Sequence, residues 1–168
     1  MNRVLRVLVL CFVIVPVLLF AAGCYEKLNG GGWMQSRNLE DKANFSISYN
    51  LTRFLESDQS DPSLIHLEGI YHDKGEDVRL KYGEVLDFVD EPDVSEGEDC
   101  VLFLTTYTSQ DRDLPGTGEA EVLACDFGEP GVQGDFLSIN ILTGPYAGYQ
   151  NGGFILGGNF QGFQIEEQ

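Results

Sequence analysis

The residues of this chain with the clearest ligand chemistry are the acids of one short segment, residues 90–99. Six of these ten residues are acidic, and Pro92 and Gly97 predict that the segment is a loop. Carboxylate oxygens that cluster on a loop are the ligands that calcium takes in weak extracellular sites. We therefore predict a weak calcium site, with a solvated acidic loop as the alternative because the spacing differs from that of an EF-hand. The candidate ligands are Asp90, Asp93, Glu96, Glu98 and Asp99.

The two histidines, His66 and His72, give little basis for a catalytic or zinc site. No cysteine or histidine lies at zinc-ligand spacing from either of them, and the chain has no Gly-x-Ser-x-Gly motif for a nucleophilic serine. Carboxylates are numerous, but no spacing singles out a pair for glycoside hydrolysis. We predict a protein that is not an enzyme and has no cofactor besides weakly bound calcium, with carboxylate-based glycan hydrolysis as an outside alternative.

The first 23 residues have the three parts of an export signal. A start with two arginines is followed by an apolar run over residues 7–20 and by a small-residue end at residues 21–23. The alternative is a transmembrane helix that is never removed, but the run is short and Pro16 interrupts it. We therefore predict that residues 1–23 form a signal helix that is cleaved.

The sequence Ala21-Ala22-Gly23-Cys24 resembles the lipobox of bacterial lipoproteins. The resemblance implies that Cys24 becomes the first residue and that it carries a lipid, with palmitate as the expected acyl chain. The protein is then expected at the cell envelope, on the outer side of the cytoplasmic membrane or at the outer membrane. Ordinary signal cleavage that leaves Cys24 as a thiol is the alternative.

The chain that follows the signal is strongly acidic. Removing Arg3 and Arg6 from the whole-chain net charge of −17 leaves −19 on the remaining 145 residues. A surface of that sign repels phosphate backbones and anionic headgroups. We therefore predict no nucleic-acid partner and membrane attachment through the lipid on Cys24 alone. A chain of this length is sufficient for one domain.

Cys100 and Cys125 flank two strand-like runs, residues 101–107 and 118–124, with a turn signature between them. If the two runs pair as a hairpin, Cys100 falls opposite Cys125. In an exported protein this arrangement predicts a disulfide. In the chain-entropy model such a bond contributes about 3 to 4 kcal/mol to stability. Two separate buried thiols are the alternative.

Alternation of apolar and polar residues predicts strands through most of the chain after the signal, with no helical periodicity. Residues 24–32 contain three consecutive glycines and predict a flexible tether, followed by one all-β domain over residues 33–168. Gly69 is a candidate β-bulge, and residues 84–89 predict a strand with a single helical turn as the alternative. The expected fold is a single antiparallel β-sandwich or barrel of about eight short strands. The predicted strands cover residues 44–52, 64–71, 77–82, 84–89, 101–107, 118–124, 135–142 and 153–165.

Five short segments resemble an uncharacterised β-domain of exported bacterial proteins. They are Gly30-Gly31-Gly32-Trp33, Lys42-Ala43-Asn44-Phe45, Gly116-Thr117-Gly118-Glu119-Ala120, Asp135-Phe136-Leu137-Ser138-Ile139-Asn140-Ile141 and Gly157-Gly158-Asn159-Phe160-Gln161. The resemblance implies no known catalytic residue. A second resemblance is to the lipocalins, because Gly31-Gly32-Trp33 matches their Gly-x-Trp motif. It implies a carrier of a small apolar ligand, but no Lys or Arg follows Arg112 to supply the basic residue of the lipocalin last strand.

The predicted contact surface lies in the glycine-rich C-terminal part of the chain. Tyr146, Tyr149 and Asn151 offer flat amphipathic groups of the kind enriched at interfaces, although aromatics in such segments also fill cores. We predict a lipid-anchored, non-catalytic binding or structural surface module whose partner is an envelope protein or a glycan. A lipocalin-like extracytoplasmic carrier is the alternative.

Overall fold

The computed structural model describes residues 23–54, 62, 65–90, 99–127, 134–161 and 166–167. Within these residues the chain forms strands and no α-helix, which confirms the predicted all-β class. The described part contains no helix with the length and apolar character needed to cross a bilayer. The predicted signal helix lies outside these ranges except for its last residue, Gly23.

The described strands all belong to one antiparallel sheet. Their bounds are β1 Gly23–Gln35, β2 Lys42–Phe54, β3 Ile65–Asp73, β4 Val78–Asp90, β5 Asp99–Ser109, β6 Thr117–Asp126, β7 Phe136–Ile141, β8 Gln150–Phe154, β9 Gly157–Gln161 and β10 Glu166–Glu167. Strands β1 to β8 pair in chain order, while β9 and β10 both pair with β1. The sheet curls into a half-barrel, which is nearer to the predicted barrel than to a two-sheet sandwich.

The alternating sequence places one face of the sheet against a filled core. In β7, for example, Leu137, Ile139 and Ile141 are buried, whereas the residues between them are partly exposed. Burial of one large apolar side chain contributes roughly 1.5 to 3 kcal/mol, so this interior is the main source of stability. Among the residues that the structure describes, the largest fully buried side chains are Leu28, Met34, Tyr49, Tyr71, Leu80, Phe103, Tyr107, Leu137, Ile139, Ile141 and Phe160.

The C-terminal strands bridge the two margins of the curled sheet. β8 pairs with β7, whereas β9 pairs with β1. Asp135, just before β7, is buried at this junction. Its carbonyl accepts the N–H of Ile155 at 2.7 Å, and its carboxylate accepts the backbone N–H groups of Phe127 and Phe160. One buried carboxylate therefore connects the end of β6, the start of β7 and β9.

The glycines at the start of the domain are part of a strand, so the predicted flexible tether over residues 24–32 is wrong. Gly30–Gly32 lie in β1 and pair with β2 on one side and β9 on the other. Glycine is required there by close backbone contact: a Cβ on Gly158 would lie 2.0 Å from the carbonyl oxygen of Gly31, and Gly158 also has a positive φ of 106°. Glycine density here indicates tight strand packing.

The hairpin predicted around the two cysteines is confirmed. β5 and β6 pair continuously, Cys100 lies opposite Cys125, and the two sulfur atoms are at disulfide distance. Residues 84–89 form a strand within β4, as predicted, and not a helical turn. The predicted bulge at Gly69 is wrong, because β3 keeps a continuous register with β2 there.

Candidate functional site

Four hairpin turns lie together at one end of the sheet, which we call the turn end. They follow β1, β3, β5 and β7, because in an antiparallel sheet of this order every second connection returns to the same end. Four tyrosines are buried near these turns, in two ring pairs with centroids 6.1 Å apart. The pairs are Tyr71 with Tyr149 and Tyr107 with Tyr146.

Asp73, the last residue of β3, is fully buried at the turn end. Its Oδ1 accepts the backbone N–H groups of Gly75 at 2.9 Å and Glu76 at 3.4 Å. Its Oδ2 accepts the hydroxyl of Tyr149 at 2.6 Å and the backbone N–H of Arg37 at 3.4 Å. Because Arg37 lies in the turn after β1 and Gly75 in the turn after β3, one carboxylate joins two hairpins.

The hydrogen bonds around Asp73 form a chain with a defined direction. Tyr149 gives its single hydroxyl proton to Asp73, so Tyr71 must be the donor in the 2.7 Å contact between the two tyrosine oxygens. Tyr71 in turn accepts a hydrogen bond from Asn151 Nδ2 at 2.9 Å. The order of donation is therefore Asn151 to Tyr71 to Tyr149 to Asp73.

The protonation states of this network are those of a structural carboxylate with neutral hydroxyls. Burial by itself raises the pKa of Asp73, but hydrogen bonds from Ser36, Tyr149 and backbone N–H groups outweigh burial and lower that pKa below its usual value. Burial is the main reason that the pKa values of Tyr149 and Tyr71 are raised. The carboxylate therefore remains charged and the tyrosines remain donors at neutral pH.

The predicted exposure of Tyr146 and Tyr149 as a contact surface is wrong, because both rings belong to the core. The Tyr149 hydroxyl is used by Asp73, and Tyr146 exchanges hydrogen bonds with Ser109 and with the backbone of Arg79. Asn151 is partly buried and donates to the Gln35 carbonyl as well as to the network. Aromatic rings with internal partners for their hydroxyls are packing groups, so this trio does not form the expected surface.

β3 and β4 are joined near the turn end but separate further along the sheet. Their pairing ends where Ile70 lies opposite Lys81. Beyond that point β3 keeps its pairing with β2, and β4 keeps its pairing with β5. We call the opening between residues 65–69 of β3 and residues 83–89 of β4 the seam. Among the described strands, none pairs with either margin from within the seam.

Two irregularities in β4 explain why it leaves β3. The register between β4 and β5 shifts between Tyr82 and Val85 and again just after Val85. Such bulges bend a strand and increase its twist. The first is fixed by hydroxyls of β5: the Thr106 hydroxyl oxygen accepts the N–H of Glu84 at 2.9 Å, and Thr105 donates to the Glu84 carbonyl at 3.0 Å. The seam therefore results from the local backbone structure of β4.

An open cavity of about 520 Å³ lies at the seam. Its lining includes Leu67 from β3 and Tyr82 and Val85 from β4, all three of which are buried residues. The Tyr82 hydroxyl is buried and has no hydrogen-bond partner among the residues that the structure describes. A buried hydroxyl without a partner costs about 1 to 3 kcal/mol.

The outer face of the seam combines exposed apolar and acidic side chains. Ile70 at its closed end is 52% exposed, and Leu86 on β4 is 38% exposed. Glu68 and Glu84 are exposed on opposite margins, and His66 Nε2 lies 3.2 Å from a carboxylate oxygen of Glu68. The seam thus offers apolar contact area next to negative charge.

A second depression, of about 630 Å³, lies between the turn after β1 and the outer face of β6 to β8. Its polar side chains are already paired with one another: Asn140 Nδ2 donates to Glu121 at 2.8 Å, and Gln150 Nε2 donates to Asn140 Oδ1 at 2.9 Å. A ligand would have to replace these hydrogen bonds. The seam, with its unpaired strand margins and the Tyr82 hydroxyl, is therefore the stronger candidate site.

The predicted calcium ligands fall mainly outside the described residues. Asp90 ends β4 and Asp99 begins β5, while Asp93, Glu96 and Glu98 lie in the segment between these strands that the structure does not describe. The calcium site stays a prediction. Within the described ranges, no three His, Cys, Asp or Glu side chains are grouped to hold a metal ion.

The two histidines lie on β3, and Cys24 lies at the start of β1. His66 is exposed, whereas His72 is partly buried, and burial followed by the nearby charges of Arg79 and Lys74 lowers its pKa. Cys24 lies opposite Arg53 of β2 and Glu167 of β10. Lipidation of Cys24 stays a prediction.

The seam was not predicted from the sequence, although one signal was present. The strand-like runs 77–82 and 84–89 are separated only by Gly83, at the point where β4 changes register. A glycine between two alternating runs marks a bulge, and a bulge marks a strand that can leave its neighbour. Comparison with protein families, characterised proteins and solved structures finds no match for this chain.

Proposed function

We propose that this chain is an exported, lipid-anchored β-domain that acts as a non-catalytic binding module at the cell envelope, and that its binding site is the seam. The observation that carries the proposal is the interruption of pairing between β3 and β4 next to a cavity lined by Leu67, Tyr82 and Val85. Unpaired strand margins beside exposed apolar side chains favour association with another molecule.

The packed interior favours a module over a carrier of small apolar ligands. A carrier needs an apolar space inside the sheet, whereas aromatic rings occupy this interior: Tyr49 and Phe103 have ring centroids 5.0 Å apart, and Phe45 and Phe160 5.6 Å. The open space of the seam lies instead between strand margins. The lipocalin-like alternative therefore has less support than the module.

The position of Cys24 has a consequence for the proposed anchor. Cys24 lies within β1, which is paired from Gly23 onwards with β2. A lipid on this cysteine would hold the first strand directly at the membrane surface, without an intervening linker. The turn end, at the opposite end of β1, would then point away from the bilayer.

The anchor is tested by intact-mass measurement of protein from the membrane fraction. We expect a chain that begins at Cys24 with added acyl mass, and a Cys24→Ser variant that is released or remains unprocessed. A Cys11→Ser variant is the matched control and should be lipidated like wild type. A soluble mature chain that begins at another residue would show that the anchor is wrong.

The binding site is tested by photo-cross-linking in intact cells from single positions on the two ends of the sheet. A photoreactive residue in place of Glu68, on the seam, should give one reproducible adduct. The same residue in place of Leu39, which is exposed at the turn end, is the control and should give none. Adducts from position 39 with none from position 68 would place the binding surface elsewhere.

A further inference from the structure

We infer that the seam binds an extended peptide segment, which adds a strand between β3 and β4 and carries apolar and basic residues in alternation. This inference rests on the proposed function, because it names the class of partner for the same site. The partner is a protein with an extended segment of this character.

The first argument is the hydrogen-bonding capacity of the margins. Among the described strands, residues 65–69 of β3 pair only with β2, and residues 83–89 of β4 pair only with β5. Each strand margin directs backbone N–H and C=O groups sideways, and an extended peptide is the ligand that pairs with such groups along their length. An extended peptide can pair with the margin of β3 or with that of β4.

The second argument is that the two faces of the sheet at the seam differ in polarity. In an extended peptide successive side chains point to opposite faces of the sheet. The inner face at this level presents Leu67, Tyr82 and Val85, which are buried. Apolar side chains of the peptide match these residues where they line the cavity.

The third argument is charge. Glu68, Glu84 and Asp87 are exposed on the two margins, where the described basic side chains are His66, next to Glu68, and Lys81 at the closed end. The whole chain carries a net charge of −17, so its field also favours a basic ligand. Lysine or arginine at the outward positions of the inserted strand matches this face, and glutamate would be repelled.

The test uses a synthetic probe of about seven residues, with valine and lysine in alternation and both ends blocked. Its length matches a short strand, as the seam requires. We expect hydrogen–deuterium exchange of the soluble Cys24→Ser domain to slow at residues 65–69 and 83–89 when the probe is added. Exchange at the turn end, for example at Gly75 and Glu76, should be unchanged.

Two modified probes separate strand addition from other kinds of docking. A probe that is N-methylated at every second residue keeps its side chains but loses alternate backbone donors, and it should bind at least about tenfold more weakly. A probe with glutamate in place of lysine should lose measurable binding. Both expectations are checked by fluorescence polarisation with labelled peptides.

Two charge variants of the domain provide the matched control. Glu68→Lys with Glu84→Lys should weaken binding of the lysine probe about tenfold or more and restore binding of the glutamate probe. Glu40→Lys with Glu76→Lys makes the same change in net charge at the turn end, where both residues are exposed, and should leave the discrimination between probes unchanged.

Several results would overturn the inference. If the N-methylated probe binds as well as the unmodified one, the seam binds side chains and no strand is added. If the lysine probe slows exchange at neither margin, the inferred peptide partner is wrong. If exchange at the margins slows without peptide as the protein concentration rises, the seam binds another copy of this chain. If position 68 gives cross-links in cells but the peptide probe does not bind, the proposed function is retained and only the extended-peptide partner is rejected.

Discussion

The two halves of the β3–β4 pair differ in how completely their polar groups are hydrogen-bonded. Near the turn end the strands are paired, and the buried carboxylate of Asp73 ties their turn to that of β1 and β2. At the seam the same two strands diverge, and a buried hydroxyl on Tyr82 has no partner among the described residues. One pair of strands thus contains a buried carboxylate that accepts four hydrogen bonds and a buried hydroxyl that has no partner among the described residues.

The difference shows how a small all-β domain can carry an opening without losing its fold. The buried carboxylate of Asp73 and the hydroxyls of the four tyrosines at the turn end are hydrogen-bonded internally, so that end contributes stability. The seam leaves hydrogen-bonding capacity unused, and such local deficits are where a ligand gains most. We expect substitutions at the turn end to change stability and substitutions at the seam to change binding.

The largest expected effect comes from Asp73→Ala. The variant leaves the Tyr149 hydroxyl and the N–H groups of Gly75 and Arg37 without their acceptor in a buried place. We expect the free energy of unfolding to fall by about 4 kcal/mol, measured by urea denaturation. Asp113→Ala, at an exposed turn position, should change it by less than about 0.5 kcal/mol. Equal losses in the two variants would mean that the turn end is not held by this carboxylate.

The same interaction sets the response to acid. The pKa of Asp73 is lower in the folded protein than in the unfolded chain, where an aspartate titrates near about 3.9. Its contribution is therefore fully present above that unfolded value and is lost as pH falls through the lower folded-state pKa. The melting temperature of wild type should drop in this acidic range, and an Asp73→Asn variant should lose the part of the drop due to this residue. Parallel pH profiles would contradict the assignment.

The disulfide tests the strands beside the seam. β5 supports β4 along the seam, and Cys100 and Cys125 link β5 to β6. We expect Cys100→Ser with Cys125→Ser to lower the free energy of unfolding by about 3 kcal/mol, because the unfolded chain is no longer cross-linked. Reduction of wild type should give a similar loss, and the double variant should be insensitive to reductant. A wild type that is also insensitive would mean that the pair is not bonded.

Two tyrosine substitutions compare the regions directly. Tyr149→Phe removes a hydroxyl that donates to a carboxylate, and it should cost about 2 kcal/mol. Tyr82→Phe removes a buried hydroxyl that has no partner in the described part, and it should be neutral or stabilise by up to about 1 kcal/mol. Thermal denaturation of both variants measures the difference. If Tyr82→Phe destabilises as much as Tyr149→Phe, the Tyr82 hydroxyl has a partner after all.

The bulge in β4 is expected to contribute only a little to stability. Thr106→Val removes the acceptor of the Glu84 N–H and should cost about 1 kcal/mol. Its clearer signature is faster hydrogen exchange at residues 83–89, because the bulge that shapes the seam is loosened. Thr108→Val, on the same strand at an exposed position, should leave this exchange unchanged. The bulge is held by other contacts if both variants exchange alike.

Local sequence patterns were sufficient to predict the features that depend on residues close together in the chain. Alternation over residues 44–52 and 101–107 predicted strands, and the turn signature between residues 107 and 118 predicted the hairpin that places Cys100 opposite Cys125. These features depend on contacts between neighbours in sequence, so they can be read without the rest of the fold.

The residues whose meaning depends on distant partners were misread. Three consecutive glycines predicted a tether, but they allow β1 to approach β9, more than a hundred residues away in sequence. Tyr149 suggested a surface because nothing near it in sequence reveals that Asp73, 76 residues earlier, accepts its proton.

The sequence by itself determined the all-β class, most of the strand-forming runs and the pairing of the two cysteines, since these follow from the period of two and from short-range turns. Only the tertiary structure decided that the sheet curls back on β1, that the C-terminal tyrosines are core, and that β3 and β4 part at a bulge. Sheet order, closure and the interruption of pairing are set by contacts between residues far apart in the chain. Such contacts leave no periodic trace in the amino-acid pattern.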